Sequence, residues 1–205
     1  MLPSEFIPVA EASGLIRGLG EWVLYEACRQ GEVWNKKGCS LTVAVNLSPA
    51  QLKHNHLGPM IGQALTETRL EPACLEFEIT ESVLIEKLEQ GEDSCLLDLT
   101  AQGVGLAIDD FGVGYSSLSY LRQLPVTKIK IDRSFVGDIG AKPDADMLVR
   151  AMIVLGQNLG KRVVAEGVES DRQLTLLRQF GCDYAQGFLL ARPQSAERIQ
   201  SFLTN

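Results

Sequence analysis

The sequence predicts a parallel α/β fold, because short β-branched segments alternate with helical segments along most of the chain. Strands are expected at residues 41–47, 75–80, 104–109, 127–132, 162–168 and 184–190. Helices are expected at residues 3–34, 58–68, 88–102, 116–124, 144–159, 171–180 and 196–202. No linker divides residues 1–205, so a single domain is predicted. A (β/α)₈ barrel and a Rossmann-like open sheet both fit, although no G-x-G-x-x-G turn follows the first strand.

The composition is that of an ordinary folded protein and argues against several classes of function. Of the 205 residues 45% are hydrophobic and 22% are charged, and the formal net charge is −7. Binding to a nucleic-acid polymer would need a clustered basic face, so no such partner is expected. A small phosphate ligand remains compatible, since bound metal ions supply positive charge locally.

The cysteines and the hydropathy pattern indicate a cytoplasmic protein. Five widely spaced cysteines without a C-x-x-C pair favour neither a disulfide framework nor a zinc site. No apolar run reaches the roughly 18–20 residues that span a bilayer, and no signal peptide opens the sequence. We therefore expect no membrane segment in this chain.

Polar side chains lie near the carboxyl end of every predicted strand. Alternation along each strand places these groups opposite the apolar face that meets the helices. In a (β/α)₈ barrel the active site is assembled from such strand ends. Carboxylates that converge there need a metal ion or a basic partner to stay charged. The residues in question are Asn46, Glu78, Asp109, Lys130, Glu166 and Gln186.

The most distinctive local feature is the Asp109-Asp110-Phe111-Gly112 segment at the end of the third strand. Two adjacent carboxylates face one site only where the strand ends and the chain turns, and Gly112 and Gly114 allow that turn. Such a pair suits two Mg²⁺ or Mn²⁺ ions about 3.5–4 Å apart, with one aspartate bridging them. Asp-Phe-Gly also occurs in protein kinases, but no Gly-rich loop or His-Arg-Asp sequence accompanies it here.

Seven segments in order extend this observation along nearly the whole chain. They are PSEFIP at 3–8 with Glu11 and GLI at 14–16, VNLS at 45–48, EITE at 78–81, DDFGVGYSSL at 109–118, KIKID at 128–132, AEGVE at 165–169 and QGF at 186–188. Together they resemble the EAL family of bacterial cyclic di-GMP phosphodiesterases. The resemblance implies a TIM-type (β/α) barrel and a signalling enzyme that opens cyclic di-GMP to the linear dinucleotide pGpG.

The resemblance also implies roles for individual residues. Asn46, Glu78, Asp109 and Asp110 would bind two Mg²⁺ or Mn²⁺ ions. Glu166, Lys130 and Gln186 would be catalytic, with Glu166 orienting or deprotonating the attacking water. Glu81 and Glu169 would stabilise the loop over residues 110–117, which in this family lies near a dimer contact. Ser48, Phe188 and Pro193 are candidates for contact with the substrate.

The chain departs from the family pattern at its start. The Glu-x-Leu sequence that names the family, usually followed by Arg, stands on no early strand here. By the resemblance, the barrel is incomplete, with about six of its eight strands and without the N-terminal segment that carries this motif. We expect impaired or absent hydrolysis, because that glutamate would bind the first metal. The strand edge left uncovered further predicts a homodimer or a locally rearranged N-terminus.

Three functions therefore remain open from the sequence. The first is a metal-dependent phosphodiesterase. The second is a non-catalytic module that binds cyclic di-GMP or mediates dimerisation and signalling. The third is a gene fragment that folds without a ligand. Binding and hydrolysis of cyclic di-GMP, measured side by side, distinguish the three.

Overall fold

Strands and helices alternate along the chain in the computed structural model, which describes residues 2–39, 41–52, 57–91, 94–114 and 118–203. The described residues fall into two compact units. The first contains the residues up to Ile79 together with Gln90–Gly105, and the second contains Thr80–Glu89 and the residues from Leu106 onward.

The first unit begins with two helices where the sequence predicts one over residues 3–34. They are α1, Pro3–Ser13, and α2, Ile16–Lys36. Gly14 separates them, because its φ of +76° is a left-handed conformation that ends a helix and favours glycine. The other elements of this unit are β1, Val43–Asn46; α3, Pro49–Leu52; α4, Leu57–Thr68; the 3₁₀ turn Pro72–Cys74; most of β2, Leu75–Thr80; and α6, Ser94–Ala101.

In this unit β1 and β2 pair in parallel, and the register sets Asn46 opposite Glu78. The ladder continues one residue further, where the Leu47 amide donates to the Glu78 carbonyl over 2.9 Å. Strand β2 is buried along most of its length, with Leu75 and Phe77 at 0% exposure. Two predicted site residues therefore lie side by side at the carboxyl ends of neighbouring strands.

The second unit contains four neighbouring parallel strands. They are β3, Gly105–Phe111; β4, Lys128–Ile131; β5, Arg162–Ala165; and β6, Tyr184–Ala185, paired in that order. Its helices are α5, Glu81–Glu89; α7, Leu118–Gln123; α8, Arg133–Val136; α9, Pro143–Asn158; α10, Asp171–Gln179; and α11, Ala196–Leu203. The predicted helix over 88–102 is thus two helices, α5 and α6, and α5 begins earlier than predicted.

Helices α8, α9 and α10 cover one face of β4 and β5. Their apolar side chains form a core with Ile131, Val163 and Ala165, all at 0% exposure. Gly156 of α9 approaches β5 so closely that an added Cβ would lie 2.6 Å from Val163 Cγ2. With one face of each strand committed to this core, the alternate residues Lys130 and Val164 point to the other face.

No described helix combines the length and the apolar character needed to cross a membrane. The five cysteines form no disulfide bond.

Candidate metal centre

The end of β3 carries both aspartates on an irregular stretch of strand. The pairing of β3 with β4 shifts between Ile108 and Phe111, so that Asp109 and Asp110 together oppose Lys130. This is the arrangement of a β-bulge, which adds one residue and re-aims the side chains around it. The third strand, predicted to end at residue 109, continues through Phe111 with the bulge inside it.

The backbone at the bulge takes left-handed conformations. Asp110 has φ of +52° and Gly112 has φ of +99°. Aspartate tolerates this conformation better than most residues. At Gly112 an added Cβ would lie 2.6 Å from Met152 Cε and 2.9 Å from Phe135 Cε2, so a side chain would be both strained and obstructed. The backbone conformation at the bulge therefore depends on having aspartate at position 110 and glycine at position 112.

Lys130 lies between two carboxylates at this strand end. Its Nζ atom is 3.0 Å from Asp109 Oδ1 and 2.7 Å from Glu166 Oε1. All three side chains are largely withdrawn from solvent, with exposures of 6% for Lys130, 14% for Asp109 and 17% for Glu166. Buried charges persist when they are paired in this way. Three strands thus contribute to one charged cluster, as the strand-end pattern predicts.

Asp110 joins the same cluster at its exposed side. Partial burial, followed by the negative charges of Asp109 and Asp132, raises the pKa of Asp110 above the usual aspartate value, although Lys130 and Arg133 oppose this. Partial burial also acts on Asp132, but hydrogen bonds from Ser134 outweigh it and lower the pKa of that carboxyl. The ionised form of Asp110 is therefore disfavoured in the metal-free fold, first by burial and then by the neighbouring carboxylates.

The carboxylates fit a divalent cation. Asp109, Asp110 and Glu166 each offer an oxygen, and these atoms all lie within 4.8 Å of one another. Asp109 Oδ1 is buried and, despite its proximity to Lys130, has no hydrogen-bond partner of acceptable geometry among the described residues. Oxygen donors of this kind are the ligands that Mg²⁺ and Mn²⁺ prefer. An acidic cluster able to hold a metal is present.

Glu81 reaches the segment that follows the aspartates. Its side chain is 3% exposed, and Oε2 accepts a hydrogen bond from the Gly112 amide over 3.0 Å. The bond ties the start of α5 to the end of β3. The predicted loop continues to residue 117, and residues 115–117 lie outside the described part of the chain.

A small cleft of about 180 Å³ opens beside Glu166. Gln186 and Phe188, both exposed, line it together with Glu169. The Arg192 guanidinium lies 4.8 Å from the centre of the Phe188 ring, a cation–π distance. The cleft brings together a predicted catalytic glutamine and a predicted substrate contact, and it also contains Glu169, which was predicted to stabilise a loop. Pro193 is exposed and is not among the residues that line the cleft.

The remaining predicted residues belong to the first unit. Asn46 is exposed at the end of β1, and Glu78 is 8% exposed at the matching position of β2. The Ser48 hydroxyl donates a hydrogen bond to Glu11 Oε1 over 2.6 Å. The contact joins residues far apart in the sequence.

Sequence reasoning missed two residues near the cluster. Asp132 caps α8 by accepting from the Ser134 amide over 2.9 Å, and Arg133 lines the cleft and packs against Gly167. An Asp placed directly after a strand and before a short helical turn is a capping signal that locates Asp132. Nothing comparable in the local pattern identifies Arg133.

Comparison with known proteins gives a consistent picture. The family pattern described as EAL domain matches residues 1–193. The chain is 44% identical over 198 residues to the bifunctional diguanylate cyclase/cyclic di-GMP phosphodiesterase MucR of Pseudomonas aeruginosa, covering 96% of this chain and 29% of that protein. It is 43% identical over 201 residues to the signaling protein YkoW of Bacillus subtilis, covering 98% of this chain and 25% of that protein.

A solved structure, the PaMucR phosphodiesterase in complex with c-di-GMP, matches with a TM-score of 0.92 at 44% identity. The match covers 97% of this chain and 81% of that one. It confirms the predicted fold class, an incomplete TIM-type (β/α) barrel with six strands. The chain spans between a quarter and a third of the length of these two curated relatives.

Proposed function

The chain belongs to the EAL-domain family, and on this premise we propose that it binds cyclic di-GMP and hydrolyses one of its phosphodiester bonds with the help of divalent cations. The observation that carries the proposal is the Lys130 ammonium between Asp109 and Glu166, with an Asp110 carboxylate oxygen within the same 4.8 Å cluster. The names of relatives such as MucR support the choice of ligand.

The residues of the second unit have different proposed roles, which follow from their side-chain chemistry. Asp109 and Asp110 would hold Mg²⁺ or Mn²⁺ through carboxylate oxygens, and a bound ion supplies positive charge that stabilises a phosphodiester under attack. Asn46 and Glu78 stay predicted ligands on the family resemblance. Two such ions, with Asp109 and Asp110 among the residues that would hold them, are part of the proposal.

Glu166 would accept the proton of the attacking water, and Lys130 would stabilise the negative charge that develops on the phosphate. Glu166 would accept a proton from the attacking water as the new P–O bond forms. The bond to the 3′ oxygen breaks, and that oxygen takes up a proton from solvent to become the 3′ hydroxyl of the product. Lys130, 2.7 Å from Glu166, would stabilise negative charge on the phosphoryl oxygens during the reaction. Gln186, at the edge of the cleft beside Glu166, would orient the water or the phosphate.

We further propose that these 205 residues, taken by themselves, turn over slowly. No Glu-x-Leu-x-Arg sequence occurs among them. A metal site short of one ligand loses both occupancy and geometry. The same observation favours the second candidate function, a module that binds cyclic di-GMP without hydrolysing it.

One experiment separates these functions. Calorimetry with cyclic di-GMP and Mn²⁺ measures binding, and chromatographic detection of pGpG measures hydrolysis on the same preparation. Slow hydrolysis that disappears in Glu166→Gln supports the weak enzyme. Binding without any pGpG selects the module. No binding and no product would contradict both.

A homodimer and a cytoplasmic location complete the proposal. Among the described residues, β1 pairs only with β2, and an unpaired strand edge is commonly covered by another chain or segment. Sedimentation at micromolar concentration should give twice the mass of one chain, and a monomer at all concentrations would count against the dimer. The reduced state of the five cysteines agrees with a reducing compartment.

A further inference from the structure

The turn that follows Asn46 is closed by a reciprocal pair of hydrogen bonds. The Ala50 amide donates to Ser48 Oγ over 3.2 Å, and the Ser48 amide donates to Gln51 Oε1 over 3.1 Å. Ser-x-x-Gln with Pro49 at the first helical position is the sequence of a capping box, here at the start of α3. The chain therefore leaves β1 through an ordered turn that begins two residues after Asn46.

Glu11 holds this turn from α1. The Ser48 hydroxyl has one proton, and it donates that proton to Glu11 Oε1 over 2.6 Å, a distance typical of a bond to a charged acceptor. Ser48 Oγ in turn accepts a hydrogen bond from the Ala50 amide. The only proton of the Ser48 hydroxyl is thus donated to Glu11, and no proton of this hydroxyl is left to donate to a ligand.

Helix α2 contacts the same turn at Gly20. The Gln51 side chain is 8% exposed and lies so close to Gly20 that an added Cβ would be 2.0 Å from Gln51 Nε2 and 2.7 Å from Gln51 Cδ. Gln51 fills the space that a side chain at Gly20 would take. The segment after Asn46 is consequently held from two sides, by a charged hydrogen bond and by close packing.

We propose that Glu11 is a positioning residue of the metal site, which acts through Ser48 to fix the end of β1 that carries Asn46. The inference rests on the proposed function, in which Asn46 is a metal ligand. Residues that orient a metal-binding side chain without touching the metal typically raise metal affinity by roughly 10- to 100-fold. Ser48 then serves the site by shaping the turn, and its predicted contact with substrate is not needed.

The test uses the full chain and three variants. Glu11→Ala removes the acceptor, and we expect Mn²⁺ affinity in calorimetry to fall by about tenfold or more. Glu11→Gln keeps a carbonyl oxygen that accepts the Ser48 proton, and it should recover most of that loss. Glu21→Ala, at an exposed carboxylate of α2, is the matched control and should bind Mn²⁺ like the unmodified chain.

A second readout is independent of any metal. Hydrogen exchange at the Ala50 and Gln51 amides in EDTA should accelerate several-fold in Glu11→Ala and in Ser48→Ala. In the Glu21→Ala control, the same two amides should exchange at the rate of the unmodified chain. Once Ser48→Ala has removed the bond, adding Glu11→Ala should change the Mn²⁺ affinity no further.

The outcomes separate this inference from the function on which it rests. If the unmodified chain binds no Mn²⁺, the proposed function fails and the inference falls with it. If the unmodified chain and Glu11→Ala bind Mn²⁺ equally, only the inference is overturned. Equal losses in Glu11→Ala and Glu11→Gln would also overturn it, because they would assign the effect to charge and not to the hydrogen bond.

Discussion

Lys130 brings a positive charge into a cluster of carboxylates that would otherwise repel one another. Its side chain is 6% exposed and lies within 3.0 Å of both Asp109 and Glu166. A charge so deeply withdrawn from water is costly without a partner of opposite sign, and the ion pairs with Asp109 and Glu166 offset that cost. The charge balance is still incomplete, because Asp110 adds a further carboxylate on the exposed side.

Replacing Lys130 by methionine should reveal this dependence. Lys130→Met keeps the length of the side chain but leaves Asp109 and Glu166 facing each other without a cation. We expect the free energy of unfolding in EDTA to fall by about 3 kcal/mol, measured by urea denaturation at pH 7, and hydrolysis to be lost.

Lys142→Met is the control for that variant. Lys142 pairs with Asp138 over 2.8 Å in the exposed turn between α8 and α9, where such a pair contributes less than about 1 kcal/mol. Equal destabilisation by the two substitutions would contradict the special role of Lys130.

Whereas Lys130 is expected to stabilise the fold, the ionised side chain of Asp110 is expected to destabilise it while serving as a proposed metal ligand. Because its pKa is raised in the folded protein, the folded state binds a proton that the unfolded state releases, and stability falls as pH rises through that interval. At pH 7 the ionised carboxylate therefore destabilises the metal-free fold. Asparagine also tolerates the left-handed backbone found here, where φ is +52°.

Asp110→Asn should accordingly stabilise the protein and inactivate it. We expect the melting temperature in EDTA at pH 7 to rise by about 1–3 °C, and turnover with Mn²⁺ to fall at least about a hundredfold. The thermal difference should shrink as pH approaches about 3.9, where an ordinary aspartate is half protonated. A lower melting temperature at pH 7 would show that the carboxylate makes a net favourable contact.

Helix α9 and strand β5 pack so closely at Gly156 that the helix has no room there for a Cβ atom. The Cα of Gly156 faces Val163, and both residues are buried. An alanine would improve the intrinsic helix propensity by about 1 kcal/mol. That gain competes with a Cβ contact of 2.6 Å in a core that has no spare volume.

Gly156→Ala should therefore destabilise the second unit by about 1–2 kcal/mol, measured by urea denaturation. Gly18→Ala in α2 is the matched control, since nothing lies within 4 Å of the added methyl group. That control should stabilise the chain by a few tenths of a kcal/mol up to about 1. Stabilisation by both substitutions would mean that α9 moves away from β5 without cost.

The chain as a whole carries a net charge of −7, and part of that charge is concentrated at the candidate metal centre. A ligand that binds only the folded state stabilises it according to its concentration relative to its Kd. Divalent cations should consequently act on global stability as well as on catalysis.

Thermal unfolding in Mn²⁺ at about one hundred times its Kd should show a stabilisation of about 2.7 kcal/mol, reversed by excess EDTA. For a chain of this size, that corresponds to a rise of roughly 5–10 °C in the melting temperature. The Asp110→Asn protein should show a much smaller rise. An equal rise in both proteins would place the bound ion elsewhere.

Local patterns in the sequence were sufficient to locate the strands and to choose the residues of the acidic cluster. Alternation placed Lys130 opposite Ile129 and Ile131, and both isoleucines are buried in the structure. Strand ends were less predictable. The sixth strand is Tyr184–Ala185, much shorter than the predicted 184–190, because the chain turns away where Gly187 lies against the Val168 backbone.

The sequence by itself determined the alternation of strands and helices and which side chains stand at the strand ends, because both depend on neighbours within a few residues. It also determined the family, because seven short segments occur in order along nearly the whole chain. Only the tertiary structure decided that Lys130 contacts Asp109 and Glu166, that a bulge presents Asp109 and Asp110 together, and that Glu11 binds Ser48. Those contacts depend on strand register and helix packing between residues up to 37 positions apart. The periodicity of a single segment contains no information about such distances.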